Sequence, residues 1–219
     1  MELKNLSLEH VIRPAKIVKD KVAPLFMFHG YGSNEADLFS FAEQLPDDLF
    51  IISARAPYNL MPNGYAWYAI QYDPIGGKWS DDEQAIKSRD LIANFIQEAI
   101  TAYKLDAENV TLLGFSQGTI LSYAVALSYP EMIKKVVALS GFINEKILVK
   151  DWKSKDFSNL DIYASHGNVD QVIPPEWARN AKTILEKNKI THIYEEFPVG
   201  HGVAAQNFYS FQKWLQDRL

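Results

Sequence analysis

Three side chains in this sequence could together carry out nucleophilic attack on a carbonyl group, as nucleophile, acid and base: Ser116, Asp170 and His201. Ser116 stands in the stretch GFSQG, between an apolar run at 110–115 and a helix-like run that starts at residue 117. A serine on a sharp bend between a strand and a helix is exposed for nucleophilic attack, and flanking glycines leave room for that bend. A serine at such a turn can also simply cap the helix, so the motif alone leaves both interpretations open.

A nucleophilic serine needs a base, and the base needs an orienting acid. Asp170, in HGNVDQVIP, follows a predicted strand at 160–165, and His201, in PVGHGV, follows a predicted strand that ends at Phe197. All three side chains therefore fall at the carboxyl ends of strands, where α/β sheets collect their functional groups. The chain order Ser, Asp, His is also the order of α/β-hydrolases. We predict that these residues form a catalytic triad.

The remaining histidines fit the role of the base less well. His166 follows a strand but precedes the acid, and His29 ends a strand just before Gly30; a structural role suits both. His10 and His192 lie within predicted strands. Without cysteine or an HExxH pattern, the sequence offers no cluster of metal ligands, so we expect no metal and no cofactor.

The strands and helices that position these groups are indicated by a sequence pattern in which short apolar runs alternate with helical runs. This pattern is typical of a mostly parallel sheet with helices on both faces. We predict an antiparallel edge strand within 6–18 and a helix that begins with a capping box at Ser80 and Glu83. A charged stretch at 144–159 is interpreted as a solvated loop. The predicted core strands are 22–28, 49–54, 110–115, 136–141, 160–167 and 192–197, and further helices are predicted over 174–188 and 203–218.

A second glycine-rich stretch, FHGYG at 28–32, follows the first buried strand. A loop in this place commonly supplies one backbone N–H of an oxyanion hole, and the residue after the nucleophile supplies the other. We therefore expect the N–H groups of Tyr31 and Gln117 to be the two donors. The aromatic stretch 56–78 also follows a strand end. Its residues Trp67, Tyr68 and Tyr72 are predicted to wall a substrate pocket, although they could instead pack a long loop over the sheet.

The motifs FHGYG, GFSQG, HGxxDxVIP and GHG, in this order, resemble the phospholipase/carboxylesterase branch of α/β-hydrolases, which includes acyl-protein thioesterases and lysophospholipases. The resemblance runs from about residue 22 to the carboxyl terminus. It implies an α/β-hydrolase fold, with Ser116 as nucleophile, Asp170 as acid, His201 as base, and Tyr31 and Gln117 as oxyanion donors. The GFSQGT form differs from the GFSQGG of eukaryotic thioesterases, and the HGYGSNEADL form looks more like bacterial carboxylesterases.

Composition narrows the class of protein further. The chain has 219 residues, 47% of them hydrophobic, a net charge of −5 and no cysteine. We expect one domain over 1–219, without a large cap domain, in the cytoplasm. Scattered basic residues argue against nucleic-acid binding, and no apolar run approaches the roughly 20 residues that span a bilayer. The oligomeric state is left open between monomer and homodimer.

The expected activity is hydrolysis of small to medium acyl esters through an acyl-enzyme, with a small-molecule or lipid-like acyl substrate. Lysophospholipase or acyl-protein thioesterase activity is the alternative within the class. A ligand-binding protein that has the fold but no catalysis is the alternative outside it. Because the base must be unprotonated, activity should rise with pH near the ordinary histidine value of about 6.5.

Overall fold

The computed structural model describes residues 2–17, 19–72 and 78–219. Its centre is a seven-stranded sheet in the order β1-β3-β2-β8-β9-β10-β11. All neighbours in this sheet are parallel except β1, which pairs antiparallel with β3, so the predicted edge strand is confirmed. The strands are β1 (His10–Arg13), β2 (Pro24–Phe28), β3 (Phe50–Ala54), β4 (Tyr58–Met61), β5 (Gly64–Ala66), β6 (Ile70–Tyr72), β7 (Lys78–Ser80), β8 (Thr111–Phe115), β9 (Lys135–Leu139), β10 (Asp161–Gly167) and β11 (Thr191–Phe197).

Helices alternate with the core strands, as the sequence pattern predicts. They are α1 (Ala36–Phe39), α2 (Asp82–Tyr103), α3 (Gln117–Ser128), α4 (Pro175–Lys187) and α5 (Ala205–Gln216). The predicted capping box at the start of α2 is wrong. The cap is Asp81, whose carboxylate accepts a hydrogen bond from the Gln84 N–H at 2.9 Å, whereas Ser80 ends β7. A carboxylate at this position also suits the positive end of a helix dipole.

Alternate side chains of each strand enter two separate cores, because successive residues of a strand point to opposite faces of the sheet. Phe26 and Phe28 pack with α2, α3 and α4, while Leu25 and Met27 pack with α1 and α5. Every residue of α3 is buried. Helices therefore cover both faces of the sheet, and the candidate functional side chains lie at the edge formed by the carboxyl ends of the strands.

Two regions predicted to be loops contain more structure than expected. The stretch after β3 forms the hairpins β4–β5 and β6–β7, and 144–159 contains two short 3-10 helices, Glu145–Ile147 and Trp152–Ser154. The second region is not a purely solvated loop, because its apolar residues Ile147, Trp152 and Phe157 are buried in the core. Within the described parts of the chain, no helix has both the length and the apolar character needed to cross a bilayer.

Candidate active site

Ser116 occupies the bend between β8 and α3. Its backbone is held at φ 53° and ψ −115°, a conformation that non-glycine residues rarely adopt. The Ser116 N–H donates to the Leu139 carbonyl at 2.9 Å, which ties the bend to β9. Its hydroxyl makes no capping hydrogen bond to α3. The interpretation of Ser116 as a helix cap therefore fails, and the hydroxyl is free for another partner.

The two glycines of GFSQG make this bend possible. A Cβ on Gly118 would overlap the Phe28 carbonyl, and a Cβ on Gly114 would lie 2.6 Å from backbone atoms of Gly118. Real Cβ atoms do not approach backbone this closely, so only glycine lets α3 pack directly on β8 and β2. The close packing brings the start of α3 next to the loop that follows β2.

The structure brings the three predicted triad residues together. His201 Nε2 lies 2.9 Å from Ser116 Oγ, and His201 Nδ1 lies 2.7 Å from Asp170 Oδ2. A carboxylate only accepts hydrogen bonds, so Nδ1 carries the imidazole proton and Nε2 is the acceptor for the serine hydroxyl. This is the tautomer that a general base toward serine requires.

Asp170 is held by its own turn as well as by His201. Its Oδ1 accepts hydrogen bonds from the N–H groups of Val172 at 2.8 Å and Ile173 at 3.0 Å. Burial on its own would raise the pKa of this carboxyl group. The hydrogen bonds from His201, Ile173 and Val172 together outweigh that effect and lower the pKa below its ordinary value. Asp170 is therefore ionised at neutral pH.

The loop after β2 lies beside the start of α3, as an oxyanion hole requires. Gln117 is the first residue of α3, so its N–H has no partner within the helix. Among the described residues, the Tyr31 N–H has no hydrogen-bond acceptor either. The loop itself is fixed, because the Gly32 N–H donates to the Tyr65 carbonyl at 2.8 Å.

His29 has the structural role that its position suggests. Its Nδ1 contacts the Gly30 carbonyl at 2.7 Å, and its Nε2 accepts from the Ala56 N–H at 3.1 Å. Burial lowers the pKa of His29. His10 and His192 also bond to nearby backbone carbonyls, in places remote from Ser116. Asp161, which begins β10, pairs with Arg218 at 2.6 Å at the opposite end of the sheet.

A cleft of about 1030 Å³ opens over Ser116 and His201. Of the predicted pocket residues, Tyr68 lines this cleft. Trp67 does not: it is fully buried, its indole N–H donates to the His29 carbonyl at 3.0 Å, and it supports the loop from behind. The backbone of Tyr72 ends β6, but its side chain lies outside the described part of the structure.

Most of the apolar wall of the cleft comes from residues that sequence reasoning missed. Phe142 and Trp177 form an edge-to-face pair with ring centroids 4.9 Å apart, and Trp177 is 49% exposed. Val172 and Ile173 follow Asp170 by two and three residues, and this proximity is a sequence signal that could have located these two cleft residues. The apolar side chains that line the cleft are Tyr31, Tyr68, Ile70, Phe115, Ile120, Phe142, Ile143, Val172, Ile173 and Trp177.

Gln117 connects the cleft wall to the bend at Ser116. Its side-chain oxygen accepts from the Trp67 N–H at 2.8 Å, and its side-chain nitrogen donates to the Tyr68 carbonyl at 2.8 Å. The Ser88 hydroxyl holds the Trp67 carbonyl from α2. The first residue of α3 therefore supports the segment that carries Tyr68 into the cleft.

Comparison with known proteins identifies the family of this chain. The model of the phospholipase/carboxylesterase family matches residues 9–219. The chain is 30% identical to an acyl-protein thioesterase 1 of Kluyveromyces lactis over 202 residues, covering 85% of this chain and 84% of the relative. It is 26% identical to a probable carboxylesterase of Arabidopsis thaliana over 214 residues, covering 92% and 81%.

Solved structures show the same fold. A carboxylesterase from Mesorhizobium loti superposes with a TM-score of 0.82 at 20% identity, covering 98% of this chain and 97% of that one. The Bacillus cereus carboxylesterase gives a TM-score of 0.81 at 19% identity, covering 97% and 95%. The chain belongs to the phospholipase/carboxylesterase family of α/β-hydrolases, and it is a serine hydrolase of the esterase class.

Proposed function

We propose that this protein hydrolyses carboxylic esters of small to medium acyl chains through a covalent acyl-enzyme on Ser116. The observation that carries the proposal is the unbroken chain of contacts from Ser116 Oγ through His201 to the Asp170 carboxylate, at 2.9 and 2.7 Å. A serine hydroxyl with a base in hydrogen-bond contact, and an acid that orients the base, is the arrangement of an activated nucleophile.

In the acylation step, His201 Nε2 takes the proton of Ser116 as Oγ bonds to the carbonyl carbon. The carbonyl oxygen becomes an oxyanion, which the N–H groups of Tyr31 and Gln117 stabilise. The intermediate collapses by breaking the bond between the carbonyl carbon and the leaving oxygen, and His201 gives its proton to the leaving alcohol. Asp170 stays ionised throughout and stabilises the imidazolium.

Deacylation repeats these roles with water as nucleophile. His201 takes a proton from water while the water oxygen bonds to the acyl carbon. Collapse then breaks the bond to Ser116 Oγ, releases the carboxylic acid and returns the proton to Ser116. Every proton in the cycle passes through His201 Nε2, so no cofactor is needed.

The cleft favours an apolar acyl group. Tyr68, Ile120, Phe142 and Ile173 line its walls, while charged side chains such as Asp82 and Lys146 also border it. Apolar walls with a few polar groups are typical of small-molecule sites, and a volume of about 1030 Å³ is at the upper end of the usual range for them. We therefore expect hydrolysis of esters whose acyl chains fill part of this cleft.

Thioesters are the second candidate substrates, because a relative of 30% identity is an acyl-protein thioesterase. The same residues would act on a thioester, with a thiol in place of the alcohol as leaving group. Rates on oxoester and thioester pairs with the same acyl chain will decide between the two. A preference for the thioester at every acyl length would reassign the substrate without changing the mechanism.

The proposal is tested with p-nitrophenyl esters from acetate to palmitate, using wild type, Ser116→Ala and the control Ser154→Ala. Ser154 is an exposed residue at the end of a 3-10 helix, and its hydroxyl donates to the Asp151 carbonyl. We expect activity to disappear in Ser116→Ala and to remain in Ser154→Ala. Intact-mass analysis after treatment with a fluorophosphonate should show one adduct in wild type and none in Ser116→Ala.

Two outcomes would contradict the proposal. Activity that survives in Ser116→Ala would mean that the nucleophile lies elsewhere. A wild-type protein that neither hydrolyses any ester or thioester of the series nor reacts with the fluorophosphonate would support the alternative of a ligand-binding protein.

A further inference from the structure

His166 contacts Asp170 although it has no place in the sequence of proton transfers. It stands near the end of β10, four residues before Asp170, and both side chains are completely buried. His166 Nε2 lies 3.2 Å from Asp170 Oδ2, the same oxygen that accepts from His201 Nδ1. Two imidazole rings therefore contact a single carboxylate oxygen.

The hydrogen bonds of His166 specify its tautomer. Nε2 lies 2.9 Å from the Ile173 carbonyl oxygen, which can only accept, so the proton is on Nε2. Nδ1 is buried and has no hydrogen-bond partner within the described residues. An unpartnered nitrogen in a buried position costs stability that an apolar side chain of similar size would not.

The Nε2–H holds the turn that carries the acid. Asp170 Oδ1 accepts from the N–H groups of Val172 and Ile173, and the carbonyl of Ile173 accepts from His166. The turn 170–173 is thus closed by the carboxylate on one side and by the imidazole on the other. Oδ1 is engaged inside the turn and Oδ2 lies beside His166, and in this orientation Oδ2 accepts from His201.

We propose that His166 is a positioning residue that acts through Asp170, fixing the turn 170–173 so that the Asp170 carboxylate holds His201 in its reactive orientation. This inference rests on the proposed function. Glu196, the register partner of His166 on β11, is a further charged side chain near His166. Glu196 is engaged by Arg179 through two hydrogen bonds of 2.7 and 2.8 Å, so it does not compete for the Nε2 proton.

The test compares His166→Met, which keeps an apolar side chain of similar length, with His166→Gln, whose side-chain amide can place an N–H close to the Nε2 position. We expect kcat on a p-nitrophenyl ester to fall about 10- to 100-fold in His166→Met, with KM changed less than about threefold, because small displacements of catalytic groups cost this much. His166→Gln should recover about tenfold of that loss. The control is His192→Gln, since His192 also contacts a backbone carbonyl, that of Ile190, but lies outside the site.

NMR gives a readout that a role in folding alone would not change. In wild type labelled with ¹⁵N-histidine, we expect His166 to show the Nε2–H tautomer. The Nδ1 proton of His201 should give a low-field signal from its hydrogen bond to Asp170. That signal should shift or broaden in His166→Met and return in His166→Gln.

The inference is overturned if His166→Met keeps wild-type kcat and an unchanged His201 signal, or if His166→Gln is no better than His166→Met. It is also overturned if wild-type His166 carries its proton on Nδ1, a measurement that requires no variant to fold. Failure of this inference can be distinguished from failure of the proposed function, because the proposed function is tested with Ser116→Ala and not with the His166 variants. An inactive Ser116→Ala together with a fully active His166→Met would reject only the role of His166.

Discussion

The backbone of Gly200 packs directly against Gly167, so that a Cβ on Gly167 would overlap the Gly200 carbonyl oxygen. Gly167 ends β10 three residues before Asp170, and Gly200 precedes His201. The loops that carry the acid and the base are therefore in backbone contact. The 2.7 Å hydrogen bond between Asp170 and His201 joins the same two loops.

Gly167→Ala should accordingly separate the two loops. We expect kcat/KM for p-nitrophenyl esters to fall at least about 100-fold, since displacements near 1 Å at a catalytic group have effects of this size. Gly200→Ala is the matched comparison, because a Cβ on Gly200 meets open space. Its loss should be at least about tenfold smaller. Equal losses in the two variants would mean that the packing of Gly167 does not set the geometry of the triad.

Asp170→Asn should remove the acid while keeping its shape. We expect kcat to fall by about 10⁴, because an amide in this position favours the wrong imidazole tautomer. Circular dichroism and thermal unfolding should show that the variant folds. A loss below about tenfold would exclude Asp170 as the orienting acid.

The lowered pKa of Asp170 bears on the pH dependence of acylation. Because this carboxylate stays ionised down to pH values below about 3.9, the ordinary aspartate value, the charge of Asp170 does not change between pH 5 and pH 8. A general base must be unprotonated to act, so we expect kcat/KM to rise with pH in this range, and the rise is not due to Asp170. A flat profile from pH 5 to pH 8 would contradict the assignment of His201 as base.

The pair Phe142 and Trp177 should determine preference for long acyl chains. Each buried CH₂ group contributes about 0.8 kcal/mol, so losing the wall should cost more as the chain lengthens. For Trp177→Ala we expect little change with acetate and a loss of about tenfold or more in kcat/KM with octanoate. Tyr209→Ala is the control, since Tyr209 is an exposed aromatic on α5 that does not line the cleft. A loss independent of chain length would remove Trp177 from the acyl site.

Lys135, buried in β9, should make stability depend on pH in the alkaline range. Burial is the main cause that lowers the pKa of Lys135 to about 8. The ordinary lysine value is about 10.4, so the folded state binds this proton less tightly than the unfolded state does. Burial of the charged Lys135 side chain therefore lowers the free energy of unfolding. This destabilisation is complete below about pH 8 and disappears as pH rises toward 10.4.

Urea unfolding of wild type and Lys135→Met at pH 7, 8, 9 and 10 measures this effect. The free energy of unfolding of wild type should rise relative to that of Lys135→Met across the series. The absolute difference also includes the lost hydrogen bonds of Lys135 to Asn109 at 2.6 Å and to the Arg218 carbonyl at 3.0 Å, so the test is the slope. A difference that is constant with pH would show that Lys135 is not destabilised by burial.

Much of the fold and the candidate triad could be predicted from the sequence, because both depend on local patterns. Apolar runs that end at glycine or proline mark the buried parallel strands, and a residue just after such a run must lie at the carboxyl edge of the sheet. Ser116, Asp170 and His201 each follow a run of this kind. Their approach to one another is then a consequence of strand order.

Tertiary structure alone decided which neighbouring residues complete the site. Trp67 and Tyr68 are adjacent and similar in type, yet one is buried behind the loop and the other lines the cleft, because the carboxamide of Gln117 fixes that segment. Ser80 likewise pairs with Ile70 as part of β7, which leaves Asp81 to cap α2. The contacts of Gln117 join residues 49 and 50 positions apart in the chain, and local patterning carries no information about them.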